Sequence, residues 1–132
     1  MAAVLDASIV GCWLLPAEMH ATADRTRALL LPARGSVPRL WWFEVRNLLL
    51  VAERRSRIDL SQMRAGLALL DEIPVDVDHA PDSEAMLDLA RKHRLTVYDA
   101  AYLELARRKA LPLATLDAAL IAAANAEQVA LV

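Results

Sequence analysis

Four acidic residues stand where predicted strands end or predicted helices begin: Asp6, Glu44, Asp99 and Asp117. Asp6 and Asp117 each follow a short apolar run, whereas Glu44 and Asp99 lie in the first turn of a helical pattern. Taken singly, each has an ordinary structural explanation, because an acid at a helix start often caps the helix. Taken together, they allow a different chemistry if the fold brings them close.

Carboxylates that converge on one point need a counter-charge. Two of them about 4 Å apart repel by about 4 kcal/mol at an effective dielectric constant of about 20. Four would take up protons or bind a cation, and carboxylate oxygens without Cys or His favour Mg²⁺, with Mn²⁺ as the alternative. Such a cation supports hydrolysis of a phosphodiester, because it activates water and stabilises the leaving oxygen.

Short apolar strands alternate with helical patterns along the whole chain. We predict strands at 2–5, 37–40, 74–78, 111–116 and 129–132, and helices at 8–15, 17–31, 41–57, 61–72, 83–94, 96–110 and from 117 onwards. This alternation predicts a three-layer α/β/α fold with a central, mostly parallel sheet. Right-handed crossovers bring the carboxyl ends of parallel strands to one edge of the sheet, where the four acids would meet.

The stretch TVYDAAYLELA, residues 96–106, is the most regular of these helices. Thr96 is the expected N-cap, and Asp99 falls at the spacing of a capping box. An apolar stripe at helical spacing begins at Tyr102 and extends to Ala110. Ser61 is the expected cap of the helix at 61–72.

The length of 132 residues predicts a single domain over residues 1–132. No apolar run reaches the roughly 18 residues that span a bilayer, and the N-terminal residues lack the basic region of a signal peptide. The single cysteine, Cys12, fits a reducing compartment. We therefore expect a cytoplasmic protein without a membrane segment.

The net charge of −2 argues against general electrostatic binding of nucleic acid but leaves room for a local basic rim. Three arginines, Arg54, Arg55 and Arg57, fall at the end of the helix predicted at 41–57. They either complement the helix dipole or line a path for RNA, and the sequence leaves both explanations open.

The segments VLDAS at 4–8, TVYDAAYLELA at 96–106 and LATLDAAL at 113–120, together with Glu44 and Asn47, resemble the four acidic motifs of the PIN-domain family. More narrowly, they resemble the VapC-type toxins of bacterial toxin–antitoxin pairs. The resemblance covers essentially the whole chain and implies a PIN-like fold, Mg²⁺- or Mn²⁺-dependent endoribonuclease activity and neutralisation by a small antitoxin. One departure lies at 126–128, where many relatives carry a glycine.

The same resemblance assigns catalytic and metal-binding roles to four acids: Asp6, Glu44, Asp99 and Asp117. Ser8 and Thr115 match the small hydroxyl residues that commonly support the first and the last of these acids. We expect those two hydroxyls to contact the acids and not the metal.

Other polar residues have simpler explanations. His20, His79 and His93 are far apart in sequence and lack the spacing of metal ligands, so we expect structural or surface roles for them. Asp76 and Asp78 alternate with valines, which predicts that both point to solvent.

The apolar residues Trp41, Trp42, Phe43 and those at 48–51 exceed what one face of a helix buries in a small domain. Trp and Phe can stack on RNA bases, but we prefer a core or subunit-interface role. On this basis we predict a homodimer and a groove for an amphipathic antitoxin helix.

Two other functions remain open. A signalling receiver domain would use Asp6 or a neighbouring residue as a phosphoacceptor. Such a domain requires a lysine after a late strand, and the chain has none beyond Lys109. A non-catalytic PIN-like module would bind RNA or a partner without cutting. Incubation of the purified protein with structured RNA and metal separates this last possibility from the nuclease.

Overall fold

Four short parallel strands form the centre of the molecule, for which a computed structural model describes residues 1–15 and 19–132. The strands are β1 (Val4–Leu5), β2 (Gly35–Pro38), β3 (Val75–Asp78) and β4 (Leu113–Ala114), in the spatial order β3-β2-β1-β4. All pairings between them are parallel. Because β1 is an inner strand and Asp6 follows it directly, that acid lies at the carboxyl edge of the sheet.

The described residues also form seven helices: α1 (Ala7–Leu14), α2 (Ala21–Leu29), α3 (Leu40–Arg54), α4 (Leu60–Glu72), α5 (Ser83–His93), α6 (Val97–Lys109) and α7 (Ala118–Ala126). Together with the sheet they confirm the predicted α/β/α fold. In the part of the chain that the structure describes, no helix has both the length and the apolar character needed to cross a bilayer.

Helix α6 lies at the centre of the packing. Every residue from 100 to 106 is buried, which is typical of a core helix enclosed on several sides. The helix contacts α5, α7 and the strands β1, β2 and β4. The predicted cap is confirmed, since Thr96 Oγ1 accepts a hydrogen bond from the backbone N–H of Asp99 at 3.1 Å. The helix ends at Ala110, which is exposed and left-handed (φ 52°) and so does not continue the apolar stripe.

Two helices begin at residues other than those predicted, and in each a side chain just before the helix accepts a backbone N–H of its first turn. Helix α2 begins at Ala21, because Nδ1 of His20 accepts the N–H of Thr22 at 3.1 Å; the first predicted residues of this helix, 17 and 18, lie outside the described residues. The prediction that Ser61 caps α4 is wrong. Asp59 caps it instead, in a full capping box with Gln62.

Three strands lie within the predicted ranges but are shorter: β1 covers 4–5 of 2–5, β3 covers 75–78 of 74–78, and β4 covers 113–114 of 111–116. Two further strands differ from the predictions in position or extent of pairing. Strand β2 spans 35–38 instead of 37–40, because its register pairs Gly35 with Val75 and Pro38 with Asp78. The predicted strand at 129–132 is reduced to one parallel bridge, between Leu131 and Leu113. Both differences arise from pairing partners that are distant in sequence.

Candidate active site

All four predicted acids line one open pocket of about 250 Å³ at the carboxyl edge of the sheet: Asp6, Glu44, Asp99 and Asp117. Four further residues complete its wall: Ala7, Ser8, Asn47 and Leu48. The acids come from the end of β1, from α3, from α6 and from the loop between β4 and α7. The fold therefore brings together residues that are up to 111 positions apart in the sequence.

Asp6 is buried and held by two hydroxyl groups. Ser8 Oγ and Thr115 Oγ1 each donate a hydrogen bond to its Oδ2, both at 2.7 Å. These hydroxyls in turn accept backbone N–H groups, Ser8 from Leu116 at 3.0 Å and Thr115 from Asp117 at 3.1 Å. Since both bonds to Asp6 use the same oxygen, they fix the carboxylate without occupying Oδ1.

Glu44 lies in the second turn of α3, because that helix begins at Leu40 and so includes one residue more than the predicted start. The hydroxyl of Tyr102 donates a hydrogen bond to Glu44 Oε1 at 2.6 Å. Burial raises the pKa of Glu44, the Tyr102 hydrogen bond opposes that rise, and the negative charges of Asp6 and Asp99 add to it.

Tyr102 is the contact that the sequence analysis missed. It was assigned to the apolar stripe of α6, and its ring is indeed fully buried. The available signal was its spacing, because a residue three positions after Asp99 lies on the same face of the helix. Its partner Glu44 is 58 residues away, so the hydrogen bond itself could not be read from local sequence.

Asp99 and Asp117 have different local roles. Thr96 provides the cap of α6, so the side chain of Asp99 is not needed for that purpose. Burial raises the pKa of Asp99, and the charges of Asp117 and Asp6 raise it further. Asp117 does cap its helix, since Oδ1 accepts the N–H of Leu120 at 2.8 Å, and it lines the acidic pocket as well.

The donor chemistry of the pocket fits a hard divalent cation. Among the described residues, no three Asp, Glu, His or Cys side chains form a cluster that could hold a metal ion by themselves. Mg²⁺, however, is usually bound by one or two carboxylates with water in its remaining positions. Burial raises the pKa values of Glu44 and Asp99, and the charges of neighbouring acids add to the rise; a bound cation would offset both effects.

The aromatic residues at the start of α3 divide between core and surface. Trp41 is buried with 4% of its surface exposed, whereas Trp42 and Phe43 are 50% and 68% exposed. The two exposed rings contact each other edge to face, with centroids 5.0 Å apart, and the guanidinium of Arg46 lies 3.6 Å from the centroid of Trp42. Only part of the predicted apolar cluster is therefore available to a partner.

The prediction that Asp76 and Asp78 both point to solvent is wrong for Asp78. Asp76 is exposed and pairs with Arg34 at 2.8 Å. The side chain of Asp78 is only 9% exposed, because Arg108 covers it and bonds to its Oδ2 at 2.6 Å. Of the three histidines, His93 is also largely buried and contacts Glu127 at 2.7 Å, a structural role.

Comparison with known families matches residues 3–126 to the model of the PIN domain. Two solved structures are similar in fold. The Pyrobaculum aerophilum protein PAE2754 has 26% sequence identity and a TM-score of 0.71, over 93% of this chain and 79% of that one. Mycobacterium tuberculosis VapC20, a toxin that cleaves the sarcin-ricin loop, has 18% identity and a TM-score of 0.63, over 92% and 95%. The comparison with curated proteins gave no significant match.

Proposed function

Because the chain belongs to the PIN domain family, we propose that it is a metal-dependent endoribonuclease and the toxin of a VapBC-type toxin–antitoxin pair. The enzyme is a single domain over residues 1–132 that hydrolyses RNA phosphodiester bonds in the cytoplasm. One observation carries this proposal: four carboxylates line a single open pocket. Burial, and to a smaller extent the charges of the neighbouring acids, raise the pKa values of Glu44 and Asp99.

Each pocket residue has a defined task in this proposal. Four acids would provide the carboxylates for Mg²⁺ or, as the alternative, Mn²⁺, with water in the remaining positions: Asp6, Glu44, Asp99 and Asp117. A bound cation would supply activation of water and stabilisation of the leaving oxygen. Ser8 and Thr115 keep the Asp6 carboxylate in one orientation, and Tyr102 does the same for Glu44, since groups behind metal ligands tune their orientation and basicity.

The proposal is tested by cleavage of a structured RNA under defined metal conditions. We expect cleavage with Mg²⁺ or Mn²⁺, little with Ca²⁺, which is larger and less strict in geometry, and none in EDTA. The same two active cations should raise the melting temperature, because a ligand that binds only the native state stabilises it. Cleavage in EDTA as fast as with metal would refute the metal mechanism. Binding of RNA without cleavage would favour the non-catalytic module.

The partner surface that we propose is the outward stripe of α3, formed by Trp42, Phe43, Arg46 and Leu50. Trp42, Phe43 and Leu50 are large apolar side chains exposed by 37% or more. Trp41 belongs to the core and is excluded from this stripe, which corrects the apolar cluster that we inferred from sequence. We propose that the stripe mediates a homodimer or receives an amphipathic antitoxin helix, since both need such an apolar face.

Two measurements separate these partners. Sedimentation at tens of micromolar should show a dimer that becomes a monomer when Trp42 and Phe43 are both replaced by Ala; a monomeric wild type would remove the dimer. The same double variant should lose affinity for the cognate antitoxin. A basic antitoxin residue that reaches the acids would compete with the cation, so inhibition should weaken as Mg²⁺ increases. Unchanged antitoxin binding by the double variant would place the groove elsewhere.

A further inference from the structure

A second pocket adjoins the acidic pocket and carries the opposite charge. It has a volume of about 280 Å³, and Ser8 and Leu48 line both pockets, so the two form one continuous surface. Arg55 and Arg57 line this second pocket, which we call the arginine pocket. Much of the rest of its wall is apolar and includes Leu15, Val51 and Leu116.

The turn that follows α3 places both arginines in this wall. Ser56 adopts a left-handed conformation, φ 57°, which is uncommon for a residue other than glycine. The N–H of Arg57 then bonds back to the carbonyl of Ala52 at 2.9 Å. As a result, the residues on both sides of Ser56 line one pocket, whereas Arg54, the last residue of the helix, is not part of its wall.

We propose that the arginine pocket binds a nucleotide of single-stranded RNA next to the bond to be cut, with its phosphate on Arg55 and Arg57. This inference rests on the proposed function, because it takes the acidic pocket as the cleavage centre. An acidic pocket repels the phosphates of RNA, and the chain is negative overall, so attraction for the substrate has to come from nearby cations.

The chemistry of the wall suits a nucleotide better than it suits a simple anion. The planar guanidinium group matches phosphate oxygens with two parallel N–H donors. It has five such donors in all, so an arginine that bonds a protein group can still contact a phosphate. The apolar remainder of the pocket, with Leu48 and Val51, offers a surface for the sugar and the base.

Helix-dipole compensation, the alternative that the sequence left open, does not distinguish among the three arginines. All three lie at or just beyond the negative end of α3, so each would contribute in a similar way. Only Arg55 and Arg57 line the pocket. Arg54 is exposed, has the same charge and is adjacent in sequence, so it is a matched control.

The test measures RNA binding separately from cleavage. We would place Arg55→Gln, Arg57→Gln, the double variant, Arg55→Lys and Arg54→Gln in an Asp99→Asn background, so that RNA stays intact. Anisotropy of a labelled single-stranded RNA of roughly ten nucleotides, a length that one binding groove can cover, gives affinity at several salt concentrations. In the wild-type background, each variant is also assayed for KM and kcat on structured RNA.

We expect the double variant to bind about tenfold more weakly, which is typical for loss of hydrogen bonds to a charged group. The slope of log affinity against log salt should fall by about 0.7 for the lost phosphate contact. Arg55→Lys should keep the salt slope, because it keeps the charge. It should lose part of the affinity, because lysine lacks the planar guanidinium group with its parallel N–H donors. In cleavage assays KM should rise while kcat stays within about twofold. This result is expected when the lost interaction is equally strong in the bound substrate and in the transition state.

Two results would overturn the arginine pocket as a nucleotide site: unchanged affinity and slope in the double variant, or an equal loss in Arg54→Gln. If the wild type fails to cut RNA with Mg²⁺ while the arginine variants still lose binding, the nuclease proposal fails and the RNA-binding pocket stands. If the wild type cuts RNA and the double variant binds normally, only the pocket inference fails.

Discussion

Two regions of this molecule are rich in carboxylates, and they differ in whether basic side chains pair with those carboxylates. In the acidic pocket, no Lys or Arg of the described chain forms a salt bridge with any of the four acids. A second group, which we call the paired cluster, contains acids that are each covered by cationic side chains. Its acids are Asp78, Glu104 and Glu127, and its basic residues are Lys92, His93, Arg107, Arg108 and Lys109.

The pKa values follow this difference. Hydrogen bonds from Lys92 and His93 lower the pKa of Glu127 to about 2. Burial alone would raise the pKa of Asp78, but the hydrogen bonds and charge of Arg108 outweigh it and lower the pKa. In the acidic pocket the pKa values of Glu44 and Asp99 are raised instead. This contrast supports our proposal that the external cation binds in the acidic pocket and not in the paired cluster.

The largest expected effect is the loss of cleavage in Asp99→Asn, on the order of 1,000-fold or more, because a charge that holds the metal is removed. Thr96 provides the helix cap, so α6 should stay intact. Without metal the variant should melt at a higher temperature than the wild type, since one repelling charge is gone. Asp76→Asn, at an exposed acid of β3, is the control and should retain activity. Full activity of Asp99→Asn would contradict the assignment.

Tyr102→Phe tests whether the support behind Glu44 matters. Removal of the hydroxyl leaves the ring in the core and removes the 2.6 Å hydrogen bond to Glu44, together with the contact of the hydroxyl with the backbone of Ala7. We expect Mn²⁺ affinity to fall by about 10- to 100-fold, the usual effect of removing a group behind a metal ligand. Metal titration monitored by melting temperature measures this. Tyr98→Phe, at an exposed position of the same helix, should titrate like the wild type. If Tyr102→Phe and Tyr98→Phe bind metal with the same affinity, Tyr102 contributes to core packing and not to metal binding.

Substitutions in the paired cluster should lower the free energy of unfolding and leave RNA cleavage unchanged. Glu104 is 2% exposed and bonds Arg108 at 2.6 Å, so Glu104→Gln leaves a partly buried guanidinium with one carboxylate partner fewer. Breaking such a pair should cost about 2 kcal/mol, less than for a fully buried pair, because Arg108 retains Asp78 and some solvent contact. Urea unfolding measures the loss, and RNA cleavage at a temperature well below melting should be unchanged. A drop in cleavage without a drop in stability would show that the two regions are coupled.

The last contrast is in the pH dependence of metal-free stability, which has opposite signs in the two regions. The pKa of Glu127 is about 2 in the native state and about 4.5 when unperturbed, so its contribution is present above pH 4.5 and is lost as pH falls towards 2. Glu127→Gln should therefore be less stable than the wild type at neutral pH. Its stability should then fall less than that of the wild type as the pH is lowered.

The pKa of Asp99 is raised in the native state, so the sign is reversed: its contribution is present at low pH and is lost as pH rises through the raised pKa. In Asp99→Asn the metal-free stability should therefore decrease less than in the wild type as the pH rises. Melting temperatures in EDTA across the acidic range test both changes. If the melting temperature depends on pH in the same way in the wild type and both variants, the proposed difference in pH dependence between the two regions is wrong.

The fold and the positions of the four acids could be predicted because their signals are local. Asp6 and Asp117 follow short apolar runs, and Thr96 and Asp99 have the spacing of a helix start. Contacts between distant residues could not be predicted in this way. Period-two alternation places Asp78 on one face of β3, but only the fold shows that Arg108, 30 residues later, covers that face.

Some differences came from competing signals of similar strength. Asp59 and Ser61 are both good cap residues, and Gln62 three positions after Asp59 was the feature that favours Asp59. At 126–128, Gln128 takes a left-handed conformation with φ 58°, which favours glycine. The neighbouring Glu127 is anchored by Arg107, Lys92 and His93, so tertiary contacts hold a turn that local propensity does not favour.

The hydrogen bond between Thr115 and Asp6 joins residues 109 positions apart, and it has a consequence for the timing of synthesis. The first acid is synthesised well before the loop that fixes it. At roughly 5–20 residues per second, the interval between Asp6 and Asp117 is on the order of 5–20 s. During that interval the nascent chain has no assembled site, so the proposed nuclease activity cannot arise before residue 117 has been synthesised.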